Sequence, residues 1–297
     1  MTIGTQKILI DRYSNMVVNR DYTPLMSRNG LLDFDRLYHF TGGLVIKKIK
    51  ERSVIRMTLT NHDEPRNFFI KRHVAARPEL DAFSGNGLRR RSLSPGMAEF
   101  KNICDFREYH LATVTPVAAG QRHVGRLRYE SFLMTEDVAP YISMEELILS
   151  HPERLSGPDG FDTKRLIITA VAHLARSMHD SGFNHRDFNA THILIAPGEE
   201  AGDHYLGLFD LQRVDRKKWM RFRWMIKTMA ELFYSMPDPV FSDSDRQFMF
   251  ERYMGRQVPG WWAAFLMGWI VRKSSRIARH TNNIRLRKEK AGAEKRS

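Results

Sequence analysis

The sequence is poor in four things, and each shortage narrows what the chain can be. It has one cysteine, Cys104, in 297 residues, so no disulfide can close within it, and a small buried hydrophobe is the simplest use of that thiol. It has no apolar run of bilayer-spanning length; the best candidate, residues 260–271, is too short. Residues 1–18 mix Asp, Arg and Asn into their apolar positions and lack the apolar core of a secretory signal. A cytoplasmic location is therefore expected, with the membrane face left open. Acid is the fourth shortage: 34 Asp and Glu stand against 47 Lys and Arg, a net charge of +13. That balance calls for an anionic partner, whether nucleic acid, an anionic membrane surface or a phosphorylated glycan. The remaining composition, 42% hydrophobic and 27% charged, is that of an ordinary globular protein long enough for two lobes and a sizeable core.

The chemistry concentrates in residues 183–195. There the charged triplet His185-Arg186-Asp187 is set among apolar neighbours, and the stretch ends in Ile193-Leu194-Ile195, which reads as a short buried strand. A second apolar run, residues 205–209, delivers Asp210 at its end. Two short strands with an aspartate at one end of each can turn both carboxylates into one cleft. Phosphoryl transfer uses such a pair: one Asp orients the attacking hydroxyl and the other holds the magnesium that bridges the phosphates.

His185-Arg186-Asp187 resembles the catalytic loop of the protein-kinase superfamily, and Asp210 the aspartate of its metal-binding triplet. Two departures narrow the likeness. Five residues after Asp187, where protein kinases carry a metal-binding Asn, stands His192, and Leu211-Gln212 replaces Phe-Gly after Asp210. With these departures the run His-Arg-Asp…His-Ile-Leu…Phe-Asp-Leu-Gln-Arg resembles the bacterial lipopolysaccharide kinases, the Kdo/WaaP group, which phosphorylate inner-core sugars. No Ala-Pro-Glu follows, which argues against a protein substrate bound in the usual way.

The resemblance covers roughly residues 34–255. It implies an α+β, two-lobed, protein-kinase-like fold: a small antiparallel β lobe with one helix, a mainly helical large lobe, and ATP with Mg²⁺ between them. The implied reaction transfers the γ-phosphoryl group to a heptose or Kdo hydroxyl of lipopolysaccharide. By the same likeness Asp187, with Arg186 and His185 beside it, orients that hydroxyl and takes its proton, while Asp210 holds the metal. His192 occupies a metal-binding position. Imidazole is a poor magnesium ligand beside oxygen, so orienting Asp187 or the phosphate is its other use.

Along the chain, residues 1–33 read as an irregular polar extension, 34–138 as the small lobe, 139–271 as the large lobe and 272–297 as a basic tail. Residues 34–40 alternate like a strand and break at Gly42-Gly43. That glycine pair can bring backbone amides to a phosphate, as the longer kinase loop does, or simply turn a hairpin. Strands follow at 53–59 and 67–73. The second carries Lys71, which the kinase resemblance makes the lysine on the α- and β-phosphates. A helix over 97–111, capped by Ser92 or Ser94, carries Glu99, which the resemblance makes the partner of Lys71, with Glu108 competing. The strand over 128–137 runs into a hinge at 135–138, where the resemblance puts the backbone of Glu136 and Val138 against the adenine edge. Residues 152–162 read as a loop and 163–181 as the clearest helix, with Leu166, Ala170, Val171, Leu174, Ala175 and Met178 as its apolar stripe and Gly182 past its end.

Two basic segments follow Asp210. A helix over 216–234 carries Arg216, Lys217, Lys218, Arg221, Arg223 and Lys227, which could face an anionic glycan. The aromatic run with Trp261, Trp262, Phe265 and Trp269 precedes a tail of ten Lys/Arg and two Glu, a net +8. Aromatics beside a polybasic segment suit the headgroups of an anionic membrane; tryptophans in a core with a solvated tail are the other reading. No nucleic-acid motif accompanies the tail. The expected partner is lipopolysaccharide or another anionic glycan, with peripheral contact to the cytoplasmic face of the inner membrane. A small-molecule kinase on the same fold and a catalytically weak kinase-like binding module are the alternatives.

Overall fold

The computed structural model describes residues 3–61, 64–76, 93–125, 128–196, 206–216, 219–255 and 259–294. Tyr205, Lys217, Lys218, Gly85, Gly87, Arg89 to Arg91 and the alternative cap Ser92 lie outside these. The chain forms two compact units, residues 1–142 with 194–215, and residues 143–193 with 216–297.

The first unit is built on a seven-stranded antiparallel sheet. Its members are β2 (Ile10–Arg12), β3 (Met16–Asn19), β4 (Leu44–Ile49), β5 (Arg52–Asn61), β6 (Glu64–Ala76), β8 (Pro116–Gly125) and β9 (Arg128–Glu136), in the spatial order β2-β3-β8-β9-β6-β5-β4. Two short strands, β1 (Ile3–Gly4) and β7 (Thr113–Val114), pair antiparallel outside that sheet. Residues 1–33 are thus no irregular extension. β3 joins the sheet through Val17↔Ala119, and α1 (Thr23–Arg28) buries Leu25 and Met26 in the sheet's core beside Phe68, Ile70 and Phe132.

Residues 34–40 also depart from expectation. Phe34–Tyr38 is a short helix, α2, because Asp33 caps it, its side chain accepting from the Arg36 N–H at 3.0 Å. A local cap of that kind outweighs an alternation of five residues. α3 (Pro95–Glu108) starts at Ser94, which accepts from the Met97 N–H. Gly96 lets it lie against β9, since a Cβ there would stand 2.5 Å from the Phe132 carbonyl oxygen. The short strand Leu206–Leu208 runs parallel to β7 at Leu208↔Thr113, and the Thr113 hydroxyl donates to the Leu208 carbonyl at 2.7 Å. This fixes the segment that leads to Asp210.

The second unit is mainly helical: α4 (Met144–Ser150), α5 (Gly157–Asp180), α6 (Arg221–Ser235), α7 (Asp243–Met254) and α8 (Gly260–Glu294). The expected loop over 152–162 is instead a 3₁₀ turn, Pro152–Leu155, and the first turns of α5, which carry Pro158 where its missing N–H costs nothing. The buried stripe of α5 is Ile167, Ile168, Val171, Ala172, Ala175 and Met178, while Leu166 is exposed. Gly182 follows the helix at φ +84°. His179 ties three helices together: its Nδ1 lies 2.7 Å from the Tyr253 hydroxyl and its Nε2 3.2 Å from that of Thr228. Burial pushes this imidazole down to about 4, so it is neutral. The basic helix begins at Arg221, not 216; Arg216 ends a short strand and stacks over Phe183 at 5.1 Å. The tail from 272 continues α8 as helix to Glu294. Among the described residues no helix is long and apolar enough to cross a membrane.

Candidate active site

Strand alternation sends Phe69 and Lys71 of β6 to one face of the sheet. There Lys71 stands in register with Val54 of β5 and Leu133 of β9. All four side chains line a cavity of about 280 Å³, together with Val114, Thr135 and Val138 and the charged groups Arg52, Glu99 and Asp210. Glu99 arrives from the second turn of α3. The Lys71 ammonium lies 2.6 Å from Glu99 Oε2 and 2.6 Å from Asp210 Oδ1, holding two carboxylates at once. Burial raises the Glu99 carboxyl above the usual range while Lys71 pulls it back down. Lys71 itself is buried, so the cluster gains from charge-assisted hydrogen bonds away from water.

Asp210 has φ +55° and ψ +54°, a left-handed conformation uncommon for a residue with a Cβ. The turn that follows holds it, for Asn102 of α3 donates to the Leu211 carbonyl at 2.7 Å. One helix therefore positions both Glu99 and the segment after Asp210. Arg52, which the sequence reading missed, lies 3.7 Å from Asp210. Its signal was alternation with Val54 on a strand, but nothing local said which strand end would meet Asp210. His73, two residues past Lys71, is pushed down to about 3 by burial and then by Lys71 and Arg52.

The other candidates from this unit fall differently. Glu108 forms an exposed pair with Lys7 at 3.3 Å. Gly42 and Gly43 do not line the cavity. Gly43 abuts β5, where a Cβ would stand 2.5 Å from the Arg56 carbonyl oxygen, and the turn next to Arg52 is formed by Lys50 and Glu51. Gly43 thus serves close backbone packing, while Gly42 lies beside the Phe40 ring. Of the hinge residues, Val138 lines the cavity. Glu136 is buried in an ion pair with Arg66, its N–H donates to the Thr115 carbonyl, and that of Asp137 donates to Asn67. Neither N–H is left for a base.

In the second unit the loop after the short strand Phe183–His185 is braced from several sides. The Asp187 N–H donates to His185 Nδ1 at 3.2 Å. His192 Nδ1 lies 2.8 Å from the Asp187 carbonyl oxygen. A carbonyl only accepts, so His192 carries its proton on Nδ1 and, when neutral, presents the lone pair of Nε2. From α6, Lys227 donates to the Arg186 carbonyl and Ser235 Oγ accepts from the Ala190 N–H at 3.0 Å. Lys227, expected to face a glycan, is thus engaged in holding the loop.

Residues 83–253 match the lipopolysaccharide kinase (Kdo/WaaP) family. The chain belongs to that family. The lipopolysaccharide core heptose(I) kinase WaaP of Pseudomonas aeruginosa is 31% identical over 183 residues, 60% of this chain and 67% of the relative. Its counterpart from Escherichia coli is 28% identical over 197 residues, 65% and 71% of the two chains. Among solved structures, WaaP in complex with acyl carrier protein superposes with a TM-score of 0.66 at 26% identity, covering 89% of this chain and 99% of that one. The protein is a transferase of the Kdo/WaaP kinase family, with its kinase-like α+β fold, and uses ATP.

Proposed function

We propose that the chain transfers the γ-phosphoryl group of ATP to a heptose hydroxyl of the lipopolysaccharide inner core, on the cytoplasmic side of the inner membrane. The observation that carries this reading is Lys71 within 2.6 Å of both Glu99 and Asp210 in one cavity. The apolar walls from Val54, Val114, Leu133 and Val138 suit an adenine ring, and the Lys71 ammonium suits the phosphates. The relatives named as heptose(I) kinases support the acceptor.

The donor set also fits magnesium. Among the described residues no three His, Cys, Asp or Glu gather as a metal cage, and Mg²⁺ is commonly bound by one or two carboxylates with waters and substrate phosphates completing its shell. Asp210 would hold it, and when bound it would neutralise charge on the phosphates. Lys71, steadied by Glu99, pairs the phosphates. Asp187 orients the acceptor hydroxyl and accepts its proton. His192 supports Asp187 through the carbonyl hydrogen bond rather than binding metal.

The test supplies γ-labelled ATP and Mg²⁺ with purified lipopolysaccharide to wild type and Asp187→Ala. Label in the heptose region with wild type alone is the expected result. ATP binding without label entering the glycan from either protein would overturn the acceptor.

A further inference from the structure

α8 carries a surface that the transfer chemistry does not use. At 3.6 residues per turn, Trp261, Phe265, Trp269, Arg272, Arg276 and Arg279 fall within about 80° of one another around the helix axis. They form a single stripe about 27 Å long, aromatic in its first half and cationic in its second. The three aromatics are 74%, 52% and 48% exposed. The buried side of the helix is elsewhere, at Leu266 and Ile270, where α8 packs on α6.

Neighbouring rings stiffen the aromatic half: Trp262 stacks on Phe265 at 5.2 Å and meets Phe222 of α6 edge-on at 6.0 Å. Trp219 and Phe222 add further exposed aromatic surface. From Gly260 to Lys288 the sequence contains no Asp or Glu. Among the described residues Arg272, Arg276 and Arg279 have no carboxylate partner.

We propose that this stripe is a membrane-docking surface that lies along an anionic bilayer, with the indole and phenyl rings among the headgroups and the three arginines on lipid phosphates. The chemistry favours a bilayer over other occupants. Indole rings partition to the boundary between apolar and wet phases. A cationic row without acid suits a uniformly negative surface rather than one of mixed charge. The inference does not rest on which sugar is phosphorylated.

Flotation of the intact protein with phosphatidylcholine vesicles, with and without phosphatidylglycerol, tests it. Wild type is expected to bind the anionic vesicles, to release as salt rises, and to shift its tryptophan emission to the blue. Arg272→Ser with Arg276→Ser and Arg279→Ser is expected to weaken partitioning about 100-fold, at roughly 1 kcal/mol per arginine. Trp261→Ser with Phe265→Ser and Trp269→Ser is expected to abolish the blue shift. All six side chains are exposed, so both variants should keep wild-type circular dichroism and ATP binding. A lost acceptor activity with intact vesicle binding would sink the heptose reading and leave this one standing. Vesicle binding unchanged in both variants, or absent in wild type, would overturn the docking surface. So would a dimer that the aromatic variant dissolves, or a lipid-free complex with an acidic protein that the arginine variant dissolves, since the stripe would then serve that partner.

Discussion

Replacing Lys71 by methionine is expected to cost stability as well as transfer, and the loss should grow with pH. The lysine serves two carboxylates of different standing: the Asp210 side chain is 27% exposed and the Glu99 side chain 4%. Without the ammonium, water can solvate Asp210 but cannot reach Glu99, so Glu99 decides the cost. Removing one partner of a buried ion pair costs about 3–5 kcal/mol when the other stays charged. Glu99 can escape part of that by taking a proton, because burial already raises its carboxyl and Lys71 is the chief group opposing the rise, ahead of Arg52. In the unfolded chain the same carboxyl ionises near 4.5. Above that pH the folded variant holds a proton that the unfolded chain has lost, so its stability falls as pH rises towards the folded value. Urea unfolding at pH 5 and pH 8 measures the effect. Lys71→Met should lose more at pH 8, and Lys71→Met with Glu99→Gln should recover most of that loss and flatten the profile. A variant whose stability parallels wild type at both pH values, or a double variant no better than the single one, would refute the reasoning.

Gly96→Ala forces a Cβ against the Phe132 carbonyl. It should cost about 1–3 kcal/mol by overpacking and, by tilting α3 off β9, weaken ATP binding; isothermal calorimetry beside a melt would show both. His179 is neutral in the fold, with a pKa near 4 against 6.5 unfolded. The unfolded chain therefore binds more protons between these values, and stability should fall by about 2 kcal/mol from pH 7 to pH 5 through this residue. Glu99 titrates in the opposite direction, so the reading is the difference from His179→Gln, whose profile should lack that loss; identical profiles would count against it. His192→Asn, which swaps the brace on the Asp187 carbonyl for the protein-kinase residue, should lower kcat while leaving the KM for ATP unchanged. Unaltered or improved turnover would show that the brace is dispensable.

The elements that recognition rested on were local. His185-Arg186-Asp187, the apolar run ending at Asp210, and Lys71 on a strand are short-range patterns, and strand alternation with a serine cap was enough to put Glu99 on the helix that follows. What pairs with what was not local. β2 and β3 are short strands, and β8, the strand that takes β3 into the sheet, lies about a hundred residues away, so residues 1–33 showed no pattern strong enough to announce them. Asp33 overrode the alternation of 34–40 with one hydrogen bond. Arg52 reaches Asp210 only because the register of β5 on β6 sets it there, and the glycine pair sought for phosphate sits at the far end of β4. His192 and Lys227 hold backbone carbonyls, which every residue carries and no side-chain pattern marks. Sequence thus determined the chemical groups and the periodicity of their elements, because both are written in neighbouring side chains. Only tertiary structure decided which charges meet, which are spent on bracing a loop, and which of α8's faces stays uncovered, because those follow from packing between segments distant along the chain.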